Sequence, residues 1–112
     1  MNNDSKKGSK KEFTKAHAKE LRDKYPDRIP VIVTVAKDVE IKKNKYLVPL
    51  DLTMGQFQYV IRKNTNMKPT EAFFLFVGNR LIETSLLMSV VLDLYGKDGF
   101  VHVHAMRENT FG

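Results

Sequence analysis

Apolar residues return along this chain with two periods, and the period decides what each stretch becomes. From Glu12 to Tyr25, Phe13, Ala16/His17, Leu21 and Lys24/Tyr25 recur at helical spacing with charge between them, and Pro26 stops the run. The stretch predicts an amphipathic helix, in one piece or two. Ile29 to Val35 is β-branched and nearly continuous, Ala36 to Lys45 is charged, and Tyr46 to Leu50 is apolar again, which predicts two strands and a polar connection. Pro49 cannot donate to a ladder, so the second strand belongs at a sheet edge.

Thr53-Met54-Gly55-Gln56 has the form of a capping box, and Phe57, Val60, Ile61 and Asn64 follow on one helix face. Phe73 to Val77 reads as a buried strand, Gly78-Asn79 as a tight turn and Arg80-Leu81-Ile82 as a short return strand. Thr84 or Ser85 is expected to cap a further helix through Leu86, Leu87, Val90, Val91 and Leu94, closed by Gly96-Lys97-Asp98-Gly99. Phe100 to Ala105 is the last strand, with Val101, Val103 and Ala105 facing away from His102 and His104. The order β-β-α-β-β-α-β behind a helical extension predicts an α+β protein whose sheet wraps a helix, the ubiquitin-like β-grasp. Residues 1–11 read as a flexible basic tail and residues 12–112 as the folded domain, with its N-terminal helix and a mobile C-terminal tail.

The 112 residues suffice for one domain with one core. The absence of cysteine removes disulfides, thiolate metal sites and a thiol nucleophile, so any thiol chemistry on this chain is supplied by another protein. No apolar run approaches the ~20 residues that span a bilayer, and the lysine-rich start lacks the apolar core of a signal peptide, which predicts a cytoplasmic protein. Of the net charge of +6, residues 1–28 carry +4, with nine Lys or Arg against five acids. Such a segment suits an anionic membrane, an acidic partner or plain solvation; without interleaved aromatics, nucleic acid is not an expected partner.

Candidate chemistry is sparse. His102 and His104 share a strand face, but no third ligand adjoins them in sequence, so no metal is assigned. No nucleophile elbow or carboxylate pair appears, and neither an enzyme nor a cofactor is expected. The C-terminal Arg107-Glu108-Asn109-Thr110-Phe111-Gly112 is different: a glycine carboxylate threads narrow channels closed to other residues and can be activated and passed to an amine.

Several motifs in order carry a resemblance: Tyr25-Pro26-Asp27-Arg28-Ile29-Pro30-Val31-Ile32, Lys45-Tyr46-Leu47-Val48-Pro49, Asp51-Leu52-Thr53-Met54-Gly55-Gln56-Phe57, Ile61-Arg62-Lys63, Asp98-Gly99-Phe100 and Glu108-Asn109-Thr110-Phe111-Gly112. Together they resemble the autophagy ubiquitin-like modifiers, the family that includes GABARAP. The resemblance implies processing by a cysteine protease and transfer through E1-like and E2-like enzymes. Gly112 then ends in an amide with phosphatidylethanolamine, on the autophagosome membrane. A chain ending at Gly112 would be the processed form.

The resemblance also implies docking of aromatic-x-x-aliphatic peptides from cargo receptors along the edge Lys45-Tyr46-Leu47-Val48. Leu21, Pro30, Ile32, Lys45, Leu47 and Phe100 would wall the aromatic pocket. Tyr46, Val48, Pro49, Leu52, Phe57 and Val60 would wall the aliphatic one. Ile32 and Val60 are the most natural core residues of this set, Lys45 and Tyr46 the least. Arg28 and Lys45 would attract acidic residues flanking the motif. His17 stands near the aromatic pocket where many members carry an acid. The alternative is a ubiquitin-like interaction module that is never conjugated, in which the tail is inert.

Overall fold

A computed structural model describes residues 14–108. The proposed tail 1–11, Glu12, Phe13 and Gly112 lie outside the described residues. The elements follow the predicted order: α1 (Lys15–Lys24), β1 (Arg28–Val35), β2 (Lys45–Pro49), α2 (Met54–Lys63), β3 (Phe73–Val77), β4 (Arg80–Leu81), α3 (Met88–Tyr95) and β5 (Val101–Arg107). The sheet runs β2-β1-β5-β3-β4, with β1 and β5 parallel at its centre and the other neighbours antiparallel. β2 therefore lies at an edge, as expected from Pro49.

Strand alternation divides the sheet into two faces. Ile29, Val31, Val33, Tyr46, Val48, Phe73, Leu75, Val77, Val101, Val103 and Ala105 point inward and are buried with Met54, Phe57 and Ile61 of α2 and Met88 and Val91 of α3. The opposite, outer face receives α1, where Ala18 packs on Ile32 and Phe100. Pro30 sits in β1 without breaking it. Val33 N–H donates to Asn44 C=O on the β2 side, so alternation places the donor that Pro30 lacks on the β5 side, where pairing begins only at Val31 opposite Val101.

The capping box forms as predicted: Thr53 Oγ1 accepts from Gln56 N–H at 3.1 Å and Gln56 Oε1 from Thr53 N–H at 3.0 Å. The start of α3 corrects the sequence reading. Neither Thr84 nor Ser85 caps it; the N-cap is Leu87, with no side-chain hydrogen bond. The backbone does the work instead. Met88 and Ser89 N–H donate to Leu52 and Leu50 C=O at 2.7 and 3.1 Å, while Met54 and Gly55 N–H of α2 donate to Leu86 and Thr84 C=O at 2.9 Å each. The two helix starts thus satisfy each other's orphan donors through the loops that precede them. Residues 84–87 serve α2 as a loop, and α3 begins later and buries Met88 and Val91, leaving Leu94 60% exposed.

Smaller boundaries also move, and β5 runs Val101–Arg107 rather than 100–105. β2 is Lys45–Pro49 rather than 46–50, and Ile82 is buried but lies past the end of β4. Lys97 and Phe100 exchange N–H···O=C bonds of 2.8 and 3.0 Å around Asp98 and Gly99, whose φ values are +56° and +87°. Two successive positive φ angles are the signature of a type I′ turn, which Asp-Gly favours. At the far end of β5, Arg107 Nη1 donates to Glu71 Oε2 at 3.0 Å and Nη2 to Asp38 C=O at 3.2 Å, tying down the strand from which the C-terminal segment leaves.

Candidate functional site

Thr14 caps α1 by accepting from His17 N–H at 3.2 Å, and a cavity of about 330 Å³ opens between this helix and residues of β1 and β2. Leu21, Pro30, Ile32, Lys45, Leu47 and Phe100, the six residues expected around an aromatic pocket, all line it. Register explains their convergence: Ile32 is opposite Lys45 and Pro30 opposite Leu47, so the four share the outer face, and α1 adds Leu21 from above.

His17 and Lys43 line the same cavity, and so do Val31 and Tyr46, which also belong to the main core. His17 was expected near the aromatic pocket; Lys43 was not, although spacing would have found it. His17 precedes Leu21 by one helical repeat of four, and Lys43 precedes Lys45 by two residues on the run into β2. The His17 and Phe100 ring centroids are 6.2 Å apart, and His17 Nδ1 is 3.5 Å from Glu20 Oε1. Lys43 Nζ sits 5.1 Å from the centroid of the Tyr46 ring. The cavity therefore has hydrocarbon walls and lysines at β2, a setting for an apolar side chain with negative charge beside it.

The second set falls differently. Tyr46, expected among the least natural core residues, is only 7% exposed and belongs to the main core. Its ring stands edge-on to Phe57 with centroids 5.3 Å apart, and its hydroxyl donates to Lys43 C=O at 2.6 Å. Burial raises its pKa above the usual phenol value. Val48 and Phe57 are likewise buried, while Pro49, Leu52 and Val60 keep partial exposure. The reason is the two-residue period of β2: if Lys45, Leu47 and Pro49 face outward, Tyr46 and Val48 face the core.

The same alternation directs the backbone of β2. Val33 pairs with Asn44, so Tyr46 and Val48 spend their N–H and C=O groups on β1, and those of Lys45 and Leu47 point to the open side of the edge. Exposed Arg28 reaches that side, its Nη1 donating to Leu47 C=O at 3.5 Å. On β5, beyond the cavity, burial and the Lys97 charge hold the half-buried His102 below the usual imidazole pKa, against a smaller opposite pull from Asp98. Among the described residues no group of three or more His, Cys, Asp or Glu side chains is placed to hold a metal ion. No described helix is long and apolar enough to cross a membrane.

A family model described as "Autophagy protein Atg8 ubiquitin like" matches residues 14–112. The chain belongs to the Atg8 family of autophagy ubiquitin-like proteins. It is 52% identical over 105 residues to Autophagy-related protein 8e of Arabidopsis thaliana, covering 90% of this chain and 86% of that one. It is 50% identical to Autophagy-related protein 8 of Mycosarcoma maydis, with 90% and 89% covered. Among solved structures, Trypanosoma brucei ATG8 superposes with a TM-score of 0.76 at 32% identity over 88% of each chain. Plasmodium falciparum Atg8, solved with a Plasmodium falciparum Atg3 peptide, gives 0.73 at 30% identity over 87% and 89%. The ubiquitin-like fold with its helical extension, expected from the chain's periodicity, is thus the fold of the Atg8 family.

Proposed function

We propose that this Atg8-family protein is a membrane tag that docks aromatic-x-x-aliphatic peptides and is conjugated through Gly112 to phosphatidylethanolamine. The observation that carries the docking half is the 330 Å³ cavity beside an open sheet edge, lined by all six residues expected there. A peptide adding to β2 would take main-chain hydrogen bonds from Lys45 and Leu47 and send its aromatic side chain into the cavity. Its aliphatic side chain would settle against Pro49, Leu52 and Val60. Lys43, Lys45 and Arg28 would draw acidic flanking residues, acting on association rate more than on affinity. Two filled pockets at roughly 1.5 to 3 kcal/mol each, less the cost of ordering the peptide, give micromolar binding. The Atg3 peptide bound by the Plasmodium relative supports a peptide-binding role for the fold and conjugation enzymes as partners.

The conjugation half rests on the family's match through Gly112. The glycine carboxylate attacks the α-phosphorus of ATP on the activating enzyme and expels pyrophosphate; a partner thiolate then displaces AMP, and the thioester is exchanged between partner cysteines. The head-group amine then attacks the acyl carbon, forming an amide and releasing the thiol. Every thiol belongs to a partner, since this chain has no cysteine. In this role the protein is a modifier and not an enzyme, cytoplasmic until lipidated and on the autophagosome membrane afterwards. The diacyl chain holds it there through many buried methylenes at about 0.8 kcal/mol each, and protease cleavage of the amide releases it.

Reconstitution with the conjugation enzymes and phosphatidylethanolamine vesicles tests both halves. Wild type should yield a lipid adduct by mass spectrometry; Gly112→Ala should yield none yet bind peptide normally. An adduct on the Gly112→Ala protein would refute the assignment, and a wild type that binds peptide but is never conjugated would favour a plain interaction module.

A further inference from the structure

α1 lies between two open spaces. On one side is the docking cavity, which it walls with His17 and Leu21. On the other is a groove of about 460 Å³, between Lys15, Lys19 and Arg22 of α1 and Leu92, Asp93 and Gly96 at the end of α3. Between these spaces the helix touches down through Ala18, its one buried residue, 3% exposed, on Ile32 and Phe100.

The seat is tight. A Cβ placed on Gly99 would stand 2.5 Å from Ala18 Cβ, far inside the 3.5 to 4.0 Å at which carbon atoms rest against each other. Gly99 is thus required twice, for its φ of +87° in the type I′ turn and for the approach of the helix. Ala18 and Gly99 meet as closely as the two smallest residues permit.

We infer that the Ala18–Gly99 contact is the gauge that sets the width of the aromatic cavity, and so the size of the aromatic side chain it admits. The inference rests on the docking reading and adds a specificity-determining pair to it. His17 and Leu21 flank Ala18 on one helix and move with it, whereas Ile32 belongs to β1 and Phe100 directly follows Gly99 at the end of the turn that leads into β5. A change in standoff at Ala18 therefore moves two walls relative to the other two. The open spaces on both flanks leave α1 free to take up that change, which the close-packed α2 and α3 could not do. Ala18 and Gly99 act as positioning residues, since neither Ala18 nor Gly99 lines the cavity.

The test uses the full chain and two peptides that differ only in having Phe or Trp at the aromatic position. Ala18→Val lifts α1 and should shift the ratio of the two Kd values toward Trp by about tenfold, the scale of a methylene's worth of pocket space. Ala18→Gly lets α1 settle lower and should shift the ratio toward Phe. Each ratio is compared with the wild-type ratio, so the indole N–H and the flanking charges cancel. Should Ala18→Val fail to fold, Ala18→Gly decides, because it removes atoms and cannot clash. Unchanged ratios, with both affinities falling together, overturn the inference and leave docking standing. A wild type that binds neither peptide overturns the docking reading and the inference with it.

Discussion

The two faces of this sheet bury the same kinds of side chain and put them to opposite uses. On the inner face, Val, Ile, Met and Phe from four strands and two helices pack with Phe57, and the helix starts are locked by reciprocal backbone hydrogen bonds. On the outer face, α1 rests on Ala18, Ile32 and Phe100 with Leu21 against them, and the space beside that contact remains open. Close packing supplies stability because every missing contact is felt. Incomplete packing supplies affinity, because an apolar wall left without a partner is one that a peptide can cover. β2 serves both, handing Tyr46 and Val48 to one face and Lys45 and Leu47 to the other.

The sharpest way to break this contrast is to truncate one residue on each face. Phe57→Ala should cost about 3 to 5 kcal/mol of unfolding free energy in urea titrations, with peptide affinity changed only as far as folding is lost. Leu21→Ala should do the reverse, lowering peptide affinity by about 2 kcal/mol in calorimetry for a stability loss of about 1 kcal/mol. Equal stability losses in the two variants would make the outer face a second core and end the comparison.

Smaller changes sharpen it. Tyr46→Phe removes the 2.6 Å bond to Lys43 C=O and keeps the ring on Phe57. It should destabilise by about 1 kcal/mol and leave the peptide Kd within twofold, because the ring keeps its place against Phe57 and the cavity keeps its shape. A large fall in affinity without loss of stability would put Tyr46 on the functional side instead. Thr53→Ala, which opens the capping box, should cost about 1 kcal/mol of stability and nothing in binding.

The smallest effect is a pH dependence on the outer face of β5. Burial and Lys97 hold His102 below the usual 6.5, so near that pH the unfolded chain binds a proton that the folded chain resists. Stability is then full above pH 6.5 and declines as pH falls through it toward the lowered folded value. Replacing His102 with Gln should flatten the decline between pH 7.5 and 5.5 in urea midpoints. A wild-type midpoint that rises on acidification would reverse the sign and refute the account.

Most elements were legible because their signals are local. Thr53 and Gln56 cap α2 by contacts three residues apart, Asp98-Gly99 turns the chain by its own φ angles, and the period of β5 alone separates Val101, Val103 and Ala105 from His102 and His104. Pro49 pointed to an edge strand because the donor it lacks falls on the unpaired side of β2. The start of α3 was not legible, since its donors find the carbonyls of Leu50 and Leu52, more than thirty residues earlier in the chain. Tyr46 was misjudged for a related reason: the type of a side chain does not say which face it takes, and β2 could be placed only once its partner and register were known. What the sequence determined by itself was the list of elements and the edge, because short-range backbone geometry sets these; the walls of the pocket were implied by the family resemblance and are brought together by register. The tertiary structure alone decided that α1 stands on Ala18 against Gly99 and leaves a cavity beside Leu21, since that gap depends on the distance between a helix and a turn about eighty residues apart.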